Sequence, residues 1–317
     1  MIVASVAVLA AGVAVGASVL QSSGGTGKSA GAGVPRKGLP PLSLDLGVRT
    51  DPEALALRRA STLYASGSAR AAARIFAGYR SLEAQLGAAL AAWPNGSLEV
   101  LERLARLHPR DPEVLLNLGL ARYWAGHDAD ALSAWRLAAA VGADTPSGVH
   151  ADDLIHPNFP RGLPFVASSY GPPAGVARLP PPQQLAELAR RARTGGYRDK
   201  LVYGIALQRL GHPLSAERQF ATAAALAPDD PEAQVAAAVG RFDKARPSLA
   251  FSQLGPLARR FPHAPTVRFH LGLLLLWLGQ LKAARAQLQL AVADGPGTVL
   301  GKEASRFLES LSGIKPR

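Results

Sequence analysis

Residues 197–228 read YRDKLVYGIALQRLGHPLSAERQFATAAALAP, residues 231–262 read PEAQVAAAVGRFDKARPSLAFSQLGPLARRFP, and residues 265–296 read PTVRFHLGLLLLWLGQLKAARAQLQLAVADGP. Laid over one another at a shift of 34 residues, the three stretches match without a gap. Ala216, Ala250 and Ala284 coincide, as do Phe220, Leu254 and Leu288, then Ala223, Leu257 and Ala291, then Pro228, Pro262 and Pro296. Gly204 and Gly272 match across Ala238, and Gly211 and Gly279 across Ala245. Each unit holds two apolar-periodic stretches joined by a short turn, which predicts a helix pair. Small residues stand where two helices approach closely. Glycine at the turn permits the left-handed backbone that ends the first helix. Proline closes the unit because it cannot continue a helix. A lone helix pair cannot cover its own apolar face, so neighbouring pairs must stack.

These residues resemble the tetratricopeptide repeat (TPR). Tyr203-Gly204, Gly211, Ala216, Phe220, Ala223 and Pro228 fit its pattern, and Leu271-Gly272, Gly279, Ala284, Leu288, Ala291 and Pro296 repeat it. Upstream, Leu118-Gly119, Gly126, Ala131, Trp135 and Ala138 form a further unit without the closing proline. Gly67, Ala72 and Phe76, and Leu86-Gly87 with Pro109, mark degenerate units at shorter spacing. The middle unit of the second set departs from the pattern at Pro247 and at Pro256, where a kink is expected. The resemblance implies an all-α, TPR-like helix-turn-helix solenoid, and it implies a binding role for the inner face. Carried onto this sequence, the lining positions are Asn117, Tyr123 and Trp124, then Arg198, Gln208 and Arg209, then Phe242 and Asp243, and finally Phe269, His270 and Trp277. Aromatic anchors with polar neighbours suit a protein or peptide partner.

The chain around the repeats is uneven. Residues 2–20 carry no charge and match one bilayer core in helical length, so a transmembrane anchor or signal segment is expected over 1–20. Lys28, Arg36 and Lys37 follow that segment and nothing basic precedes it. The charge rule then leaves the bulk of the chain cytoplasmic, whereas a signal peptide would export it. Residues 21–50, rich in Gly, Ser and Pro, are expected to be a disordered linker. Within them Gly24–Ser29 reads GGTGKS, but Ser22 stands where a phosphate loop needs glycine, and the Gly- and Pro-broken chain that follows is not expected to start the helix such a loop requires. N-terminal repeats are expected over 51–143, an irregular insert over 144–182, C-terminal repeats over 183–297, and a capping helix and tail over 298–317. The insert has nine prolines in 39 residues, but Phe159, Phe165, Val166 and Tyr170 predict that it packs across a face of the repeats.

Composition narrows the chemistry. The 317 residues include no cysteine, which removes disulfides, thiolate metal sites and cysteine nucleophiles. At 48% apolar the chain is too hydrophobic for a disordered protein. The net charge is +12, and residues 184–317 hold 19 Lys/Arg against 10 Asp/Glu. No basic run exceeds two residues and aromatics do not interleave with them, so no nucleic-acid partner is expected. The abundance of alanine and arginine suggests a GC-rich bacterial genome. One cluster, His150, Asp152, Asp153 and His156, has metal-binding residue types and marks the alternative, an enzyme or enzyme accessory with a metal site in the insert. Against it, the adjacent aspartates point apart in regular structure, and no catalytic triad or HExxH motif accompanies them. The expectation is therefore a non-catalytic adaptor without cofactor.

Overall fold

The computed structural model describes residues 33–312, which contain sixteen α-helices and no strand. The apolar segment at 2–20 and the GGTGKS stretch lie outside the described residues. Among those described, no helix is long and apolar enough to cross a membrane.

The chain divides at residue 157 into two compact units. The first contains α1 (Pro52–Ala65), α2 (Ala69–Phe76), α3 (Leu82–Ala91), α4 (Ser97–Leu107), α5 (Pro112–Trp124), α6 (Asp128–Val141) and α7 (Pro146–Ile155). The second contains α8 (Ala174–Ala177), α9 (Pro181–Thr194), α10 (Tyr197–Arg209), α11 (Pro213–Leu226), α12 (Pro231–Val239), α13 (Ser248–Arg260), α14 (Pro265–Trp277), α15 (Leu281–Asp294) and α16 (Val299–Ser312). In the first unit each helix packs on the next, and α1, α3, α5 and α7 also pack in series. In the second, α10, α12, α14 and α16 form the same inner series. This one-apart and two-apart contact pattern is that of a helical repeat stack.

Local sequence explains the helix starts. Asp51, Asp111 and Asp230 each precede a Pro-Glu pair, and each carboxylate accepts an N–H from the first turn of α1, α5 or α12. Proline at the first position lacks only a hydrogen that a helix start leaves unused, and glutamate beside it suits the positive end of the helix dipole. The repeat glycines are explained by packing. A Cβ on Gly119 would lie 2.4 Å from the Trp135 ring, one on Gly204 2.6 Å from the Phe220 ring, and one on Gly272 2.8 Å from Leu288. Phe220 and Leu288 are thereby sealed at 0% exposure and Trp135 at 5%. Burying one such side chain contributes about 2–3 kcal/mol. At the turns Gly67, Gly126, Gly211 and Gly279 all take positive φ. Helix α13 runs through Pro256 as one element.

Two expectations are corrected. Residues 144–182 are not irregular throughout, because α7 occupies Pro146–Ile155 and α9 begins at Pro181. Proline density misleads here because Pro146 starts a helix: Thr145 Oγ1 accepts the Gly148 N–H at 3.1 Å. Residues 21–50 are not a disordered linker in their described part, since Leu46 is 6% exposed and Leu39, Leu42 and Leu44 pack on the first unit's core. Apolar residues at 42, 44 and 46 alternate as an extended chain lying on an apolar surface requires.

Candidate peptide-holding grooves

In each unit a stretch of extended chain, here called a strap, runs along the inner helices and is held by their side chains. In the first unit, Asn117 on α5 grips Ser43 from both sides. Its Oδ1 accepts the Ser43 N–H at 3.1 Å and its Nδ2 donates to the Ser43 carbonyl at 2.7 Å. Glu113, one turn earlier, accepts the Asp45 N–H at 3.2 Å, and the Tyr64 hydroxyl on α1 donates to the Pro40 carbonyl at 2.6 Å. At the other end the Arg36 N–H meets the Trp124 carbonyl at 2.8 Å. The Arg36 guanidinium lies 3.4 Å from the centre of the Tyr123 ring and pairs with Asp128 at 2.8 Å. Burial pushes the Glu113 carboxyl up to about 8, and the nearby Glu83, Asp45 and Asp111 charges add to that rise.

In the second unit residues 159–170 form the strap. The Gln208 amide on α10 accepts the Val166 N–H at 2.8 Å and donates to the Pro164 carbonyl at 3.0 Å. His270 on α14 accepts the Ala167 N–H through Nε2 at 3.0 Å, while its Nδ1 donates to the Thr266 carbonyl at 2.7 Å. These two bonds assign the neutral imidazole tautomer. Full burial pushes its pKa down to about 4, against the opposing pull of Thr266. Glu232 on α12 accepts the Ser169 N–H at 2.9 Å and both neighbouring serine hydroxyls. Tyr170 donates to Asp230 at 2.8 Å. Phe159 sits edge-on to Phe242, and Phe165 tilts against Phe269.

The structure brings most of the expected inner-face residues onto these straps. Asn117, Gln208 and His270 bond strap backbone, Tyr123 carries Arg36, and Trp124 offers its carbonyl. Phe269 is fully buried, while Phe242 and Trp277 are 6% and 4% exposed and meet edge to face. Arg198 is exposed and covers the Tyr170 ring at 4.6 Å. Arg209 lines a cavity of about 350 Å³ with Tyr170, Gln184, Leu300 and Glu303, and burial pulls its guanidinium below its ordinary value. Asp243 is apart from the strap contacts and turns the chain locally by accepting the Ala245 N–H at 2.8 Å. The residues not anticipated are Tyr64, Glu113 and Glu232. Their signal was available in the two Gly-Leu-Pro stretches at 38–40 and 162–164, which need matching partners on the helices.

The four metal-type residues are not brought together as a site. His156 Nδ1 contacts Asp152 Oδ1 at 2.9 Å one turn away, whereas His150 Nδ1 meets Ser43 Oγ at 3.2 Å. Among the described residues no three His, Asp or Glu side chains converge as metal ligands.

No family model and no curated protein matches the chain. Solved structures do match. The chain is similar to YrrB, described as a TPR protein with an unusual peptide-binding site, at 14% identity and TM-score 0.32, over 66% of this chain and 99% of that one. It is also similar to yeast Tom70, at 14% identity and TM-score 0.34 over 87% of this chain, and to the Cut9–Hcn1 hetero-tetramer of APC/C, at 14% and 0.27 over 82%. The chain spans 56% of each of those two matched chains. The chemistry of the grooves rests on the contacts within this chain.

Proposed function

We propose that this chain is a non-catalytic interaction scaffold whose inner grooves hold extended protein segments. One observation carries the reading: side chains on the inner helices of both units already hold an extended backbone through its own N–H and carbonyl groups. A surface that satisfies peptide backbone in this way gives affinity through main-chain hydrogen bonds and selectivity through apolar pockets beside them. The basic balance of residues 184–317 steers acidic partners toward the second unit. A tether through the uncharged segment 2–20 belongs to the same proposal and keeps the partner near a membrane.

Photoreactive residues at the rim test the scaffold. Placed at Trp124 or Arg198 in the full chain, they are expected to form adducts with a partner polypeptide. The same residue at exposed Leu226, on the outer helix α11, is expected to form none. Equal labelling from Leu226, or none from the rim, overturns the reading. The tether is checked separately by membrane fractionation with and without residues 2–20, where unchanged soluble recovery sinks it.

A further inference from the structure

The two straps are versions of one sequence in one register. The first contains Lys37-Gly38-Leu39-Pro40-Pro41-Leu42-Ser43 and the second Arg161-Gly162-Leu163-Pro164-Phe165-Val166-Ala167. Both glycines take positive φ, +87° at Gly38 and +78° at Gly162, and both prolines are buried. The matching continues atom by atom. Pro40 and Pro164 offer carbonyls to Tyr64 and Gln208. Ser43 and Ala167 give their N–H to Asn117 and His270, at 3.1 and 3.0 Å. Asp45 and Ser169 give theirs to Glu113 and Glu232, at 3.2 and 2.9 Å.

The receiving groups differ in kind, and three of the backbone groups received are the same; the Ser43 carbonyl in the first strap and the Val166 N–H in the second are held in addition. An open φ for L-residues is not available at the glycine, so glycine is read through conformation. Proline fixes its own φ and biases the residue before it toward extended backbone, which lowers the ordering cost of binding. The aliphatic residue two places after proline enters the core: Val166 is 1% exposed and Leu42 packs on the first unit's core. Two grooves with different side chains selecting the same pattern define a recognition code rather than one accidental fit.

Resting on the scaffold reading above, we propose that the partner segment is an extended stretch of a protein carrying Gly-Leu-Pro-x-aliphatic-small, and that the straps are resident copies of that ligand. A tethered strap competes at an effective concentration on the order of millimolar. A free segment therefore binds only weakly until the strap is loosened, and the strap sets the threshold for partner binding.

The test uses the full chain with Leu163→Asp and Val166→Asp, and separately with Ala167→Pro, which removes the N–H that His270 accepts and restricts the backbone at 166–167. Far-UV circular dichroism selects the variant that keeps wild-type helix content. Synthetic peptides 36–48 and 160–172 are the probes. The loosened chain is expected to bind both at least tenfold more tightly than wild type, and to lose at least tenfold when alanine replaces the peptide's glycine. Equal binding of the alanine peptide, or binding of neither probe by a folded variant, overturns the code. Selection of random displayed peptides on the same variant separates the two readings. Enrichment of Gly-Leu-Pro supports the code, enrichment of unrelated extended sequences overturns it while leaving the scaffold, and no groove binder overturns both.

Discussion

The two units solve one problem with opposite electrostatics. Each must hold an extended chain across the inner helices without leaving its backbone polar groups dry. The first unit places a carboxyl, Glu113, in the buried part of its groove, and burial raises its pKa to about 8. The second places an imidazole, His270, at a buried position, and burial lowers its pKa to about 4. Both groups thus favour their uncharged forms, but from opposite sides of neutrality. The comparison teaches that the strap backbone is the shared requirement and that any side chain with a correctly placed acceptor or donor satisfies it.

The strongest way to break the comparison is to remove an aromatic that only one strap needs. Phe269 packs against both Phe165 of the strap and Phe307 of α16, at ring separations of 6.3 and 5.8 Å, and those two rings also stack on each other. Phe269→Ala is expected to cost about 3–5 kcal/mol. Hydrogen exchange should register the loss in the second unit and leave α1–α6 unchanged; equal loss in both units would contradict separate cores.

The next effect is in the first unit. A carboxyl whose folded pKa is raised to about 8 adds stability below its unfolded pKa, and that stability is lost as pH rises through 8. Glu113→Gln keeps a carbonyl acceptor for Asp45 and removes the charge. It is expected to protect the Asp45 amide at pH 8 by about 4 kcal/mol relative to wild type, at about 1.4 kcal/mol per pKa unit over the rise from 4.5 to about 8. No difference should remain near pH 4, and parallel exchange curves across the range would refute the assignment.

His270 gives the mirror result. Its folded pKa is depressed to about 4, so its contribution is present above the unfolded value and is lost as pH falls toward 4. The Ala167 amide is expected to lose roughly 2–3 kcal/mol of protection between pH 7 and 4.5. His270→Asn, which copies the residue used by the first unit, should flatten that dependence. Persistent acid sensitivity in the variant would place the titrating group elsewhere.

The smallest effect belongs to Arg36. Its pairing with Asp128 is largely solvated, at 30% and 56% side-chain exposure, so screening limits its worth. With the contact to the Tyr123 ring included, Arg36→Ala is expected to cost about 1 kcal/mol or less, read as fraying at Arg36 alone.

Much of this molecule was legible because it is locally periodic. The alignment of Ala216, Ala250 and Ala284, and of the glycines facing Trp135, Phe220 and Leu288, reports helix pairs directly, since one turn of helix brings those positions to one face. The terminal turns are equally local. Gly142-x-x-Thr145-x-x-Gly148 and Gly295-x-x-Thr298-x-x-Gly301 make the same bonds, each threonine hydroxyl donating to the first glycine at 2.8 and 2.7 Å. Proline composition was the misleading signal. It marked residues 144–182 as irregular although Pro146 starts α7, and with Gly and Ser it marked residues 21–50 as a linker although the described part forms a strap.

The sequence by itself determined the repeat period, the helix starts at Asp-Pro-Glu, and the glycines that let paired helices touch. Each of these depends on residues within one or two turns of each other, or on a fixed period. Only the tertiary structure decided what fills the grooves. The bond from Ser43 to Asn117 spans 74 residues and the one from Ala167 to His270 spans 103. Such pairs obey no period, because they are chosen by which backbone groups the folded helices leave unsatisfied and not by what stands beside them in the chain.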